Sequence, residues 1–279
     1  MHFLSFTWNP SEGIDLGFIT IHYYSLMFMV AFIVGWFIMK SIYKRETVPL
    51  EKLDSLFIYM VLAILIGARL GHVIFYQSEL FIEDPLSVFL PFETVPEFKF
   101  TGFRGLASHG AAIGVIIAMF LYNKKVLKKP ILWIFDRIII PVAFGAILVR
   151  LGNFLNSEII GHFTGTDYGV IFSKLDETAP RHPAQLYEAI GYVFVFLLLW
   201  YVYWKTEKRK QLGYIFGLFL ILLWTVRFVV EFYKESQGGF EDKLDSIINL
   251  STGQWLSIPF ILAGVYLMVT SSKRKYHEA

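Results

Sequence analysis

The chain has 279 residues, of which 56% are apolar and 17% charged, against roughly 45 to 50% apolar and about 25% charged in a soluble domain. That composition excludes an ordinary soluble globule. A formal charge of +2 provides no field for nucleic acid. With no cysteine in the chain there is no disulfide framework, no cysteine zinc site and no thiol nucleophile, so any thiol in its chemistry comes from a partner.

Residues 1–16 carry no basic stretch followed by an apolar one, so no cleaved signal peptide is expected there. Beyond them the apolar residues fall into seven runs: 17–39, 53–76, 106–122, 131–154, 184–204, 212–232 and 255–270. Each approaches the roughly 20 residues a helix needs to cross about 30 Å of hydrocarbon, where every backbone group must be paired internally. The last run is the shortest and contains Pro259. The expected fold class is therefore all-α, a polytopic membrane protein with seven transmembrane helices. The whole chain, 1–279, is expected to be one membrane domain, with no internal repeat.

Lysine and arginine set the orientation. Fifteen of them follow runs 1, 3, 5 and 7, among them Lys40, Lys44, Arg45, Lys124, Lys125, Lys205, Arg209 and Arg274, whereas Lys99, Lys174, Arg181, Lys234 and Lys243 lie on the opposite side. The positive-inside rule then places the C-terminus in the cytoplasm and the N-terminus outside. The long segments 77–105, 155–183 and 233–254 form an extracytoplasmic cap.

Five further arginines, Arg69, Arg104, Arg137, Arg150 and Arg227, fall in or at the ends of the runs. Each costs about 2.5 kcal/mol or more near the bilayer centre, so each needs a partner, a water-filled cavity or a function. Arg137, beside Asp136 near the cytoplasmic start of run 4, is expected to snorkel. The other four share one depth in the outer leaflet, together with Tyr24, His109, Asn153, Gln185, Tyr187, Glu188, Glu231, Gln254 and Ser257. Taken singly these residues read as helix-pairing contacts: Arg227 and Glu231 at i, i+4 could neutralise one another, and Arg69 between Gly67 and Gly71 could lie on a small-residue packing face. Collectively, three or four guanidiniums face two carboxylates, Glu188 and Glu231. The missing anion, at headgroup depth, is read as a lipid phosphate, which arginine grips bidentately.

Three motifs carry the candidate chemistry. In GFRGLASHGAAIG (102–114) one histidine stands in a small, apolar segment; it is either structural or an acid or base beside phosphate-binding arginine. Ser108 makes no dyad with it, because adjacent helical positions diverge by about 100°. In RLGNFLNSEIIG (150–161), Arg150, Asn153, Asn156 and Glu158 crowd a helix end; a capping turn explains Asn156 but not the set. HPAQLYE (182–188) reads as a helix start with Gln185 and Glu188 on one face. No histidine has metal-ligand spacing, so neither a metal nor a cofactor is expected.

At these residues the sequence resembles the prolipoprotein diacylglyceryl transferase family of bacterial inner-membrane enzymes. The resemblance runs through IHYYSLM, GARLG, RGLASHGAAIG, DRIIIPVAFGAILVR, RLGNFLNSEIIG, HPAQLYE, RFVVEF and GQWLSIP, in that order. It implies transfer of the diacylglyceryl group of phosphatidylglycerol to the lipobox cysteine of a prolipoprotein, releasing glycerol 1-phosphate and leaving a thioether. Carried over by motif position, the essential residues are Tyr24, His109, Arg150, Asn153, Glu158, Gly161, Glu188, Arg227 and Glu231. Arg69 and Arg104 are further candidates for binding the lipid. One departure stands out: the family's tyrosine four residues before the RF arginine is Leu223 here.

The chemistry needs a thiolate, a stabilised phosphate leaving group and exclusion of water. Arg150 and Arg227 are assigned the phosphate, and His109 is either the general base or a headgroup ligand. The main alternative is a phospholipid transporter or scramblase, which predicts polar access from both leaflets. A sensor or scaffold predicts a dispensable polar layer, and an intramembrane protease lacks its motif.

Overall fold

Seven helices are long and apolar enough to cross a bilayer in the computed structural model, which describes residues 4–17, 20–90, 92–95, 97–100, 105–235 and 250–276. In chain order the elements are β1 (Leu4–Trp8), β2 (Gly13–Asp15), β3 (Thr20–His22), α1 (Tyr23–Arg45), α2 (Leu50–Tyr76), α3 (Leu80–Glu83), α4 (Pro85–Phe89), β4 (Phe92–Glu93), β5 (Lys99–Phe100), α5 (Ser108–Tyr122), α6 (Ile131–Leu155), β6 (Tyr168–Phe172), α7 (Ala184–Lys205), α8 (Tyr214–Val230) and α9 (Thr252–Thr270). The long helices are α1, α2, α5 to α8 and α9, with α5 prolonged to Leu127 by a wider π turn. The protein is a multi-pass membrane protein. The all-α expectation needs one correction, since three two-stranded sheets occupy the connecting segments.

The first span also shifts. It runs Tyr23–Arg45 rather than 17–39, because Thr20 to His22 pair antiparallel with Gly13 to Asp15. Hydropathy does not distinguish an apolar strand from an apolar helix, and β-branched Thr20 and Ile21 suit the strand. At the other end Lys40 lies 4.4 Å over the Trp36 ring, which lets the helix continue past its first cation. The last span starts earlier than expected: Ser251 and Gln254 form a reciprocal capping box, and Pro259 is carried inside the helix.

The chain divides into two compact units, residues 42–134 and residues 1–41 with 135–279. In the first, α2 and α5 cross on bare backbone. A Cβ placed on Gly110 would lie 2.7 Å from the Cα of Gly71, and one on Gly114 would lie 3.1 Å from the Cα of Gly67. Small residues thus bring the two backbones together, as small-residue spacing does in membranes. At the lysine-rich end of this unit the buried Tyr43 and Tyr122 hydroxyls meet at 2.9 Å, and Tyr122 lies 2.9 Å from the carbonyl of Lys52. Trp133 donates to Glu46 at 3.0 Å.

In the second unit, Asp136 is fully buried and accepts from the backbone N–H groups of Gly213 and Phe216 at 2.7 and 2.8 Å. It thereby satisfies donors at the start of α8 that the helix leaves unpaired. Arg137 does not snorkel: it is 1% exposed, lies 4.0 Å from Asp136 and donates to the carbonyl of Arg209. α8 and α9 approach closely through Gly217 and Gly264, and Trp224 stacks on Phe260 with centroids 4.2 Å apart. β1 pairs in parallel with β6, joining the segment before α1 to the one between α6 and α7.

Candidate active site

Within the second unit the end of α6, the turn behind it and the first turns of α7 make one hydrogen-bonded cluster. Arg150 is the hub. Its Nε is ion-paired with Glu188 Oε2 of α7, and its Nη1 donates to Asn153 Oδ1 at 3.2 Å. Asn153 then donates to Glu158 Oε2 at 3.0 Å, and Asn156 donates to Glu158 Oε1 at 3.1 Å. Tyr24 lies within reach of the charges of Glu158 and Arg150. Its ring covers Gly152, where a Cβ would come within 2.6 Å of it.

The turn after α6 earns this geometry by strain. Ser157 and Ile159 both hold a left-handed backbone, φ 57°, which costs of order 1 kcal/mol or more for a residue with a side chain. The reversal aims the Glu158 side chain back at α6. Gln185 locks it from α7 by donating to the carbonyl of Glu158.

Gly161 continues this turn as a backbone junction. It donates to the carbonyl of His182 at 2.9 Å and bridges to Lys234, and a Cβ there would meet the carbonyls of His182 and Tyr233. Nearby Arg181 ties the segment together through Glu177 at 2.6 Å and Glu235 at 2.9 Å, with its guanidinium 3.8 Å from the Phe163 ring centroid. His182 hydrogen-bonds the Tyr187 hydroxyl at 3.1 Å. Partial burial, and then the neighbouring His162, hold the His182 imidazole below its usual pKa.

Arg227 and Glu231 do not neutralise one another. The α-helix ends at Val230, and the Glu231 backbone N–H still reaches the Arg227 carbonyl, so only the direction of the side chain keeps the two charges apart. Glu231 pairs instead with Lys234 at 3.3 Å and lies against Gly253 in the first turn of α9, where a helix favours negative charge. The Arg227 guanidinium lies 5.4 Å over the Trp224 ring, and its buried Nε has no hydrogen-bond partner among the described residues.

Two buried acceptors are likewise unfilled among the described residues, Oε1 of Gln185 and Oε1 of Glu188. Buried polar atoms are rarely left so, and each calls for a ligand group. A half-buried cation without a carboxylate partner and two empty acceptors on α7 suit an anion that also carries hydroxyl donors.

One phenol was not foreseen. Tyr192 of α7, one turn beyond Glu188, is buried and within reach of the charges of Glu188, Arg150 and Arg227. Leu223, where the resemblance leads one to expect a tyrosine, packs against the Tyr192 cluster.

The other candidates belong to residues 42–134 or beyond. Arg69 is buried and donates to the carbonyl of Ser87 at 2.9 Å, fastening α2 to α4. In the same loop, hydrogen bonds first from the Thr94 side chain and then from its backbone hold the Asp84 carboxyl below its usual range. His109 is exposed at the second position of α5. Arg104 lies outside the described residues.

Seven membrane-spanning helices and a buried arginine, carboxylate and amide cluster at the ends of three of them define a polytopic membrane protein with a polar site among its spans. The family model described as prolipoprotein diacylglyceryl transferase matches residues 12–270. A protein of Tolumonas auensis is 42% identical over 269 residues, covering 96% of this chain and 98% of that one; one of Bacteroides fragilis is 40% identical over 275 residues, covering 98% and 97%. A third, from Chloroherpeton thalassium, is 37% identical over 272 residues, covering 97% and 96%. All three carry the name phosphatidylglycerol-prolipoprotein diacylglyceryl transferase. This chain belongs to the prolipoprotein diacylglyceryl transferase family.

Proposed function

We propose that this protein transfers the diacylglyceryl group of phosphatidylglycerol to the lipobox cysteine thiol of a prolipoprotein in the bacterial inner membrane, the first step of lipoprotein maturation. The sulfur attacks the glyceryl carbon that bears the phosphate ester. A carbon–sulfur bond forms, the carbon–oxygen bond breaks, and the bonding pair leaves on the oxygen of glycerol 1-phosphate. The thiol proton passes to a base, a role assigned to His109.

The observation that carries this reading is Arg227, a guanidinium among the spans with no carboxylate partner among the described residues. An unpaired cation among apolar spans is costly. A lipid phosphate relieves that cost and uses the charge where negative charge grows as the ester bond breaks. Arg150, positioned by Glu188 and Asn153, joins it on the phosphate. The empty Oε1 atoms of Gln185 and Glu188 accept from the headgroup hydroxyls, and Tyr24, Asn153, Glu158 and Gly161 hold the pocket wall. Glu231 fixes the entry of α9, while Arg69 and Arg104 are further candidates for binding the lipid.

The excess of lysine and arginine after spans 1, 3, 5 and 7 supports an N-terminus outside, a C-terminus in the cytoplasm and a site toward the outer leaflet. In this reading residues 1–279 form one membrane domain, capped by segments 77–105, 155–183 and 233–254. The test is to incubate the purified protein with phosphatidylglycerol vesicles and a cysteine-bearing lipobox peptide. A peptide heavier by one diacylglyceryl unit supports the reading; an unchanged peptide mass, with or without movement of lipid between leaflets, overturns it.

A further inference from the structure

The connection between α2 and α5 turns apolar side chains outward over a buried polar knot. The buried Asp84 carboxylate accepts from the Thr94 hydroxyl, from the Thr94 backbone N–H at 2.7 Å and from the Ser87 backbone N–H at 3.4 Å. The buried Ser87 hydroxyl donates to the Asp84 carbonyl at 2.8 Å, and Arg69 of α2 donates to the Ser87 carbonyl. Outside this knot Phe81, Ile82, Leu86 and Phe89 of α3 and α4 are exposed, Ile82 at 88%. A buried carboxylate beneath an exposed apolar surface is the reverse of a soluble loop, and polar groups paired internally are what a water-poor medium requires. The exposed Glu79 and Glu83 stand four residues apart and so share one side of α3.

The β4–β5 hairpin divides its faces in the same sense. Phe92 is opposite Phe100 and Glu93 opposite Lys99, and successive residues of a strand point to opposite faces. The Phe92 ring meets those of Phe98 and Phe100 at centroid distances of 5.0 and 5.4 Å. Three aromatic rings thus make one face, with Phe98 74% exposed, and the charged Glu93 and Lys99 lie on the other.

What covers this surface follows from what it continues. Phe75 and Tyr76, in the last turn of the membrane-spanning α2, are also exposed, and on a span such residues meet lipid and interface. Phe81 follows Tyr76 by five residues, where α2 leaves the hydrocarbon. Rings backed by charged side chains are favoured at that boundary.

We infer that α3, α4 and the β4–β5 hairpin form a lipid-surface element: they lie along the boundary between headgroups and acyl chains in the leaflet where α2 ends. Phe81, Ile82, Leu86, Phe89, Phe98 and Phe100 enter the acyl side, and Glu93 and Lys99 stay in water. The occupant of the apolar face is the bilayer itself, and the inference does not depend on the transferase reading. It has a consequence for α5. The segment leads directly into that helix, so its depth in the leaflet sets the height at which α5 begins.

Because the chain has no cysteine, Ile82→Cys, Phe98→Cys, Glu93→Cys and Lys99→Cys each give full-length protein one site for an environment-sensitive fluorophore. The labelled proteins are placed in vesicles of phosphatidylglycerol and phosphatidylcholine. Quenching is read with aqueous iodide and with lipids spin-labelled either high on the acyl chain or at its end. The expected result is iodide quenching several-fold weaker at Ile82 and Phe98 than at Glu93 and Lys99, with the shallow lipid label the stronger quencher at the first two. Four sites equally open to iodide overturn the inference. So does shielding of Ile82 and Phe98 without quenching by either lipid label, which means that a second copy or another protein covers the face. Stronger quenching by the chain-end label also overturns it, because the segment then lies in the hydrocarbon core. Ile82 is exposed enough for its replacement to leave packing intact, so it decides the matter if Phe98→Cys fails to fold. Peptide lipidation is scored separately in the same vesicles; its absence beside the expected quenching counts against the transferase reading alone.

Discussion

Arg227 and Glu231 stand one helical turn apart and are not ion-paired: Glu231 is held by Lys234 at 3.3 Å, and the guanidinium lies over Trp224. Their spacing is that of a self-neutralising pair, and the Glu231 side chain turns to Lys234 instead. The protein keeps a positive charge available that its sequence spacing could have cancelled.

Independence of the two follows. Arg227→Ala is expected to lower kcat/KM by about 10²-fold or more, and Glu231→Gln to act by loosening the entry of α9. Because the two side chains share no bond, the effects of the two substitutions on stability should add within about 0.5 kcal/mol. Thermal unfolding in detergent across the double-mutant cycle checks this, and a coupling beyond about 1 kcal/mol would show that they are paired.

Arg150 and Glu188 should behave in the opposite way. Breaking a buried pair leaves an uncompensated charge and costs roughly 3 to 5 kcal/mol, whereas replacing both partners by apolar residues of similar volume is often neutral. Glu188→Gln is therefore expected to unfold at a clearly lower temperature than Arg150→Met combined with Glu188→Leu. Peptide lipidation should be lost in both, so that stability and activity separate.

The crossing of α2 and α5 should tolerate no side chain at its centre. Gly110→Ala pushes a Cβ to 2.7 Å from the Cα of Gly71, and overpacking of this kind costs about 1 to 3 kcal/mol. A lowered thermal midpoint with unchanged KM for lipid in the surviving protein is the expected outcome. An unaltered midpoint would mean that the helices separate freely.

His182 gives stability a pH dependence of known sign. Its folded pKa lies below the ordinary histidine value, chiefly through partial burial and then through His162. The unfolded chain therefore binds more protons between that lowered value and about 6.5. The contribution is fully present above about pH 6.5 and is lost as pH falls through the folded value. Midpoints measured at about pH 7.5 and 5.5 should fall with acid in wild type and fall less in His182→Gln; equal slopes would remove His182 from the account.

The seven spans were legible because lipid enforces length and apolarity on any crossing helix. The arginines in and beside the spans stood out because charge is rare there. The start of α1 was not, since a three-residue strand depends on a partner, Gly13 to Asp15, that hydropathy does not weigh. Arg137 read as a snorkelling residue because its buried carbonyl partner, Arg209, is far along the chain. Tyr192 escaped notice for a related reason: a tyrosine in an apolar helix is ordinary core, and its charged surroundings come from α6 and α8. The available signal was its position one turn after Glu188, on the face that meets Arg150.

The parallel pairing of Leu4 to Trp8 with Tyr168 to Phe172 imposes an order on biogenesis. β1 can pair only after the four spans between it and β6 and residue 172 itself have been made, so it waits unpaired while they are synthesised. A fusion that tethers β1 on the opposite face of the membrane from β6 would therefore leave both strands unpaired.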